Sequence, residues 1–289
     1  VTAMGIHVGD QISLGGFRDR PNEDRMGQSM GHAWVIDGAT GLGEPFMGQS
    51  SNSSSSDAAW LAQRAHEAFT RHAAITDPRA LLARAADDLV AAFEQERSRD
   101  LKEPWELPCG AFMLASLGEA GLTITWSGDC RALVQQGDGP VLSFGATPVS
   151  EEAEAALVAR LGRGGDPARR YAQPEAMAEL RAGRGLALAP GNAFILAPDR
   201  GFLNHLSQAT VTTRQASLLM MTDGFAAAEL RYGLFTGPEA MMHAARGGGL
   251  AWMGDQLRRF EHETDPDGVL KPRWKRCDDA TAIWLQINA

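Results

Sequence analysis

The amino-acid sequence predicts an α+β layered domain built on antiparallel β-sheet. Two observations carry this. Extended and helical patterns come in blocks (strands, two helices, strands, a helical stretch, strands, helices, a last strand), without strict βαβ alternation. The extended segments are short apolar runs bounded by Gly, Asp and Pro, as antiparallel strands joined by tight turns should be. A chain of 289 residues, 44% of them hydrophobic, has ample material for its own core.

In order along the chain, residues 11–37 read as short extended segments. "MGQSMGHAWVIDG" is the turn and second arm of a hairpin, and a Met30-Gly31 loop puts glycine where a positive φ is needed. The polar run "SSNSSSS", 50–56, is expected to be a mobile loop. A first helix starts with Ser56 or Asp57 as N-cap and carries the stripe Trp60, Leu61, Ala65, Ala68 and Phe69. A second opens on Asp77-Pro78, a cap followed by proline at the first helical position. "AFMLASL" and "LTITWSG" flank "GEAG" as a hairpin, and "RALVQQ" follows as a strand with "GDGP" as its turn. Residues 150–190 form a looser, helical, Gly- and Arg-rich insert of flap type within a single domain spanning 1–289. "NAFILAP" and "ASLLMMTDG" read as strands, "GPEAMMHAARGGGLAWMGDQLRRFEHE" as one or two helices, and "ATAIWLQIN" as the closing strand.

Bulk chemistry narrows the function. A net charge of −9 disfavours nucleic acid, whose binding needs basic groups to displace counterions. The cysteines Cys109, Cys130 and Cys277 are odd in number, far apart and without a CxxC pair, so neither a disulfide framework nor a cysteine-rich zinc site is expected. With no apolar run of membrane-spanning length and no signal-peptide pattern, the expectation is a cytoplasmic protein without a membrane partner. "HEAFTRH" has its histidines six apart, the wrong spacing for a zinc-protease helix, and "DPDG" at 265–268 is a turn rather than a calcium loop.

Four acidic spots share one placement, the edge of an extended segment: Asp24 in "PNEDR", Asp37 after "AWVI", Asp223 after "LLMMT", and Asp278-Asp279 before "ATAIWL". Any even-length hairpin loop puts Asp24 and Asp37 on one face of adjacent strands, and the Met30-Gly31 loop puts them directly opposite. Burying two such carboxylates is costly unless a cation joins them. Carboxylates with backbone carbonyls and water suit hard cations such as magnesium or manganese. A glycine after each Asp would let the backbone carbonyl approach the ion. Taken singly, each Asp-Gly is an ordinary turn, and Asp138-Gly139 reads as one.

In order, "NED", "VIDG", "SGDCRA", "TDG" and "DDAT" resemble the motifs of the metal-dependent serine/threonine protein phosphatase family, type 2C (PPM), over residues 11–287. The resemblance implies two stacked antiparallel β-sheets flanked by helices on both outer faces. It implies two Mn2+ or Mg2+ ions bridged by Asp37, with the Gly38 carbonyl on one, Asp223 and Asp278 on the other, and Glu23 and Asp24 on the opposite side, partly through water. Asp129 resembles a ligand of a third metal. The implied activity is that of a phosphatase of bacterial type, hydrolysing phosphoserine or phosphothreonine on proteins by attack of a hydroxide bridging the metals. The implied partners are phosphorylated proteins and a Ser/Thr kinase that makes them. Asp278 is matched to the ligand position by motif alone, with Asp279 left open.

Three departures stand out. Where many members carry a phosphate-holding Arg, this chain has Asp19 between Arg18 and Arg20, either of which can supply the guanidinium. Where many have a His two residues after the bridging Asp, here stands Ala39. Where many have an Asp four residues after that of TDG, here stands Ala227, so a third metal is expected to be weak or absent. Two alternatives accompany the phosphoprotein reading: a regulatory binding module that keeps the fold with little or no turnover, and a phosphatase for a small phosphorylated metabolite.

Overall fold

The segment "AWVI" is apolar on both faces, because its sheet is covered on both sides. In "AWVI", Ala33 and Val35 point one way and Trp34 and Ile36 the other, and all four are buried. The computed structural model describes residues 5–18, 20–47, 56–161, 173–213 and 215–288, without the side chains of 148–151, 153 and 154. The "SSNSSSS" loop, Ser56 excepted, and Arg163, Arg169 and Arg170 lie outside the described residues.

Among the described residues, ten strands form two antiparallel sheets. They are β1 (Gly5–Leu14), β2 (Asp24–Gln28), β3 (His32–Gly38), β4 (Gly110–Gly118), β5 (Gly121–Ser127), β6 (Arg131–Gln135), β7 (Val141–Gly145), β8 (Ser207–Val211), β9 (Gln215–Met221) and β10 (Ala280–Asn288). One sheet has the order β1-β10-β9-β6-β7 and the other β2-β3-β4-β5-β8. Their inner faces meet in one apolar layer, with Val35, Met113 and Ile124 on one side and Val134, Met220 and Ile283 on the other. Helices α1 (Asp57–Arg71) and α2 (Pro78–Glu96) cover the outer face of the second sheet, where Leu61, Phe69 and Leu82 pack on Trp34 and Phe112. Helices α5 (Asp223–Leu230) and α6 (Pro238–Arg259) cover the outer face of the first, where Phe225, Met242 and Leu257 pack on Leu219 and Trp284. Two further helices, α3 (Pro148–Leu161) and α4 (Pro174–Ala187), come from the insert.

The expected caps form. The Ser56 hydroxyl accepts from the Ala59 N–H, and the Asp77 carboxylate accepts from the Arg79 N–H ahead of Pro78. The β2–β3 hairpin closes around Met30-Gly31, with the Ser29 N–H donating to the His32 carbonyl at 2.7 Å. Gly31, however, is not among the glycines with positive φ, so the turn does not use the left-handed freedom its sequence offers. Helix α6 is interrupted at Gly249 (φ 78°), which reconciles the one-helix and two-helix readings of that stretch.

Two expectations are corrected, and one strand was not anticipated. "NAFILAP" is not a strand: only Leu196 makes a bridge, to Gly110, and Ala193, Leu196 and Ala197 are apolar because they cover the outer face of a sheet. The edge strand β8 is polar and largely exposed, so it lacks the apolar run that marks a strand in sequence. Asp223 does not end a strand, since β9 stops at Met221 and Asp223 opens α5.

His32 joins the hairpin to the rest of its layer. Its Nε2–H donates to the Ile75 carbonyl at 2.9 Å, which leaves Nδ1 to accept from the Ser116 hydroxyl at 2.8 Å. Burial holds its pKa below the usual value, against the opposing pull of the Ile75 carbonyl. The unfolded chain therefore binds a proton near pH ~6.5 that the folded chain refuses, and this part of the stability is lost as pH falls through that window. The urea midpoint is expected to drop between pH 7 and 5, with part of the drop missing in His32→Gln.

Candidate metal centre

The inter-sheet layer ends in carboxylates. Asp37 follows Val35 by two residues on the inner face of β3, and Asp24 is its direct partner across the hairpin. Thr222, two residues beyond Met220, reaches the same end from the other sheet and donates its hydroxyl to Asp24 Oδ2 at 2.8 Å. Thr222 is the helix-capping residue of α5, yet its side chain serves Asp24 instead of the helix. Burial, and then the charges of Asp279 and Asp223, push the Asp24 carboxyl well above the usual carboxylate range. Burial, and then Asp223 and Asp24, do the same to Asp37. Two carboxylates in register at the end of an apolar layer are thus short of positive charge.

In front of them lies a cavity of about 190 Å³. Asp37, Gly38, Asp129, Asp223 and Asp278 line it, together with Arg184, Arg231, Trp274 and Lys275. Ala39 and Ala227, the two residues where the resembled family often carries His and Asp, also line it and present only methyl groups. Glu23 and Asp24 stand behind this lining. The Glu23 carboxylate is held by the Ser56 hydroxyl and, at 2.5 Å, by the Thr40 hydroxyl. Gly38 is wedged between backbones: a Cβ there would sit 2.6 Å from the Ala58 carbonyl oxygen and 2.8 Å from that of Glu23. Close packing of strand against helix therefore demands this glycine, independently of any ion.

The "DDAT" pair divides its work. Both oxygens of Asp279 are taken by backbone donors, Oδ1 by the Gly16 N–H at 2.7 Å and Oδ2 by the Glu23 N–H at 2.6 Å. Asp278 instead lines the cavity and pairs with the Lys275 ammonium, Nζ to Oδ1 at 2.8 Å. Burial alone would raise the Asp278 carboxyl, but the Lys275 charge beside it holds it below the usual range. The cavity thus separates two residues that the sequence left interchangeable.

Neither Arg18 nor Arg20 is on the cavity lining. Both are exposed, and Arg20 lies over the Phe17 ring. The arginines that do line the cavity are Arg184, on α4, Arg231, just after α5, and Arg273, which is committed to Asp265. Arg184 donates through Nη1 to the Thr40 carbonyl at 2.7 Å, and one turn earlier Arg181 donates twice to the Leu42 carbonyl while covering the Trp105 ring. These two arginines of the insert hold the loop that follows Asp37. Trp274 closes the same side against Val158 and Ala176. Asp265 of "DPDG" caps a turn, accepting from the Val269, Leu270 and Lys271 N–H groups and pairing with buried Arg273, as a turn reading requires.

The donor set fits a hard divalent cation: Asp37, Asp129, Asp223 and Asp278 face one cavity, and Asp37 is backed in register by the buried Asp24. As they stand, no three His, Cys, Asp or Glu side chains among the described residues are gathered closely enough to hold an ion.

No family model and no curated protein sequence matches the chain. Solved structures do. The chain is similar to the serine/threonine phosphatase PstP of Mycobacterium tuberculosis at 14% identity, over 99% of this chain and 100% of that one, with a TM-score of 0.53. It is similar to MsPP of Mycobacterium smegmatis, a PPM Ser-Thr phosphatase described in complex with cacodylate, at 13% identity, over 98% and 100%, with a TM-score of 0.54. It is also similar to the serine/threonine phosphatase Stp1 of Staphylococcus aureus at 13% identity, over 100% and 96%, with a TM-score of 0.51. A structure of the PstP catalytic domain contains two manganese ions. The architecture is therefore the two-sheet α+β sandwich of the serine/threonine phosphatases. Within that class the fold is the PPM fold, as the five ordered motifs implied. Among the described residues no helix is long and apolar enough to cross a membrane.

Proposed function

We propose that this chain is a PPM-type phosphatase that hydrolyses phosphoserine or phosphothreonine esters on proteins with Mn2+ or Mg2+, opposite a Ser/Thr kinase. The observation that carries this is the in-register pair Asp24–Asp37 at the end of the inter-sheet layer, opening on a cavity that Asp129, Asp223 and Asp278 share with Arg184 and Arg231 among its arginines. Asp37, the Gly38 carbonyl, Asp223 and Asp278 would hold the ions directly, with Asp24 and Glu23 behind them and Asp129 holding at most a weak third. When bound, divalent cations neutralise phosphoryl oxygens and acidify water.

The protein's own groups do the rest. Asp24 is fixed by Thr222, and Glu23 by Ser56 and Thr40, so the acidic wall is set before any ligand enters. Arg184 and Arg231, rather than Arg18 or Arg20, clamp the phosphate, since a guanidinium fork matches its oxygens. Among the described residues lining the cavity there is no histidine, so the leaving alkoxide does not take its proton from an imidazole there. The insert carrying α3 and α4 acts as a flap that forms one wall.

The test is release of phosphate from a phosphothreonine peptide with manganese, with chelator, and with Arg184→Ala. Turnover is expected only with metal, and Arg184→Ala is expected to cost about 10²-fold or more, as loss of an electrostatic stabiliser does. Ala39 in place of histidine supports a second reading, a binding module without turnover. Manganese binding with no phosphate release from any substrate would favour it.

A further inference from the structure

The chain has 27 basic residues, of which only Lys102, Lys271 and Lys275 are lysines. One of the three stands inside the acidic cavity. Lys275 Nζ lies 2.8 Å from Asp278 Oδ1 and 3.0 Å from Thr40 Oγ1, and that hydroxyl in turn donates to Glu23 Oε2 at 2.5 Å. The ammonium is thus shared by two acidic arms of the site, directly with Asp278 and through Thr40 with Glu23. An ammonium is a compact point charge, close to a small metal ion in its demands. Arg258 pins this geometry from behind by donating to the Asp278 carbonyl at 2.7 Å.

We infer that Lys275 is a resident counter-cation of this centre, one that competes with a divalent ion for Asp278. The inference rests on the metal-centre reading above. A carboxylate cannot give its charge fully to an ammonium at 2.8 Å and also to a metal ion. Filling the Asp278 side therefore requires the Lys275 contact to be broken or weakened, which lowers affinity on that side alone. The ion on the Asp37–Gly38 side carries no such penalty. The two ions then load unequally, the first tightly and the second weakly, and Lys275 sets the gap. The same contact keeps the metal-free protein from facing the full repulsion of its carboxylates.

Isothermal titration of chelator-stripped protein with Mn2+, with free Mn2+ followed by its paramagnetic resonance signal, tests this without reference to activity. The wild type is expected to show two unequal sites. Lys275→Met and Lys275→Gln should tighten the weaker site at least 10-fold, leave the tighter one within about 3-fold, and lower the metal-free melting temperature. Lys275→Arg, which keeps the charge, should leave the weaker site weak and serves as the folded control. Equal stoichiometry and affinity in wild type and both neutral variants would overturn the competition while leaving the metal centre intact. Weaker manganese binding in the neutral variants would overturn it too, by making Lys275 an organiser of the site. No manganese binding in any variant would overturn the metal-centre reading itself, and with it this inference.

Discussion

Asp37→Asn is expected to abolish phosphate release, by more than about 10³-fold, while raising the melting temperature of the metal-free protein. The two effects have one cause. Asp37 faces Asp24 directly across the β2–β3 ladder, and burial leaves both carboxylates poorly solvated. Opposed residues place their Cβ atoms about 5 Å apart, where like charges at an effective dielectric near 20 repel by roughly 3 kcal/mol. Removing one charge of the pair relieves part of that, about 1–3 kcal/mol, without changing side-chain volume. With saturating Mn2+ the order should reverse. A ligand at 100 times its Kd stabilises by about 2.7 kcal/mol, and the wild type alone has the full ligand set. Thermal melts of both proteins with chelator and with manganese check this. A lower metal-free melting temperature for Asp37→Asn would show that the pair is already neutralised from within.

Arg131→Met is expected to cost about 3–5 kcal/mol, because it strands a buried carboxylate. Arg131 on β6 pairs with Glu229 on α5, their side chains 4% and 8% exposed, and its Nε donates to the Ser143 hydroxyl at 3.1 Å. The pair bolts α5 to its sheet, and Asp223 is the first residue of that helix. Manganese affinity should therefore fall with stability in the single variant. Arg131→Met combined with Glu229→Leu removes both charges and should recover most of the loss, since an apolar pair of similar volume does well at such sites. Urea denaturation of the two singles and the double gives the coupling directly. Recovery of stability without recovery of metal affinity would show that the ion pair positions Asp223 beyond merely holding the helix.

Much of the fold was legible because its strands are buried on both faces. "AWVI" and "LLMM" are runs that only a doubly covered strand needs, and the caps at Ser56 and Asp77 mark helix starts by local chemistry. What escaped lacked such a signal. β8 is polar because it is an exposed edge, and "NAFILAP" is apolar because a loop covers a sheet there. At the centre, the opposition of Asp24 and Asp37 follows from pleat and loop length alone. The contributions of Thr222, Lys275 and Arg184 do not, since they come from the second sheet, the loop before β10 and the insert. Arg18 and Arg20 are close in sequence to "NED", whereas the arginines on the cavity lining, Arg184, Arg231 and Arg273, come from far along the chain.

The sheet order β1-β10-β9-β6-β7 carries a consequence for biogenesis. β1 pairs with β10, Gly5 opposite Asn288, and β10 also pairs with β9. A ribosome-bound chain has therefore made β1 long before its partner strand exists, and until then β1 and β9 both present unpaired edges. Chains built on such distant pairings fold slowly and leave sticky surfaces exposed meanwhile. Asp278, which immediately precedes β10, arrives with that same final segment. A chain without β10 and the residues just before it thus lacks the strand that joins β1 to β9 and the Asp278 side of the cavity together, so the candidate metal centre cannot be complete before β10 is made.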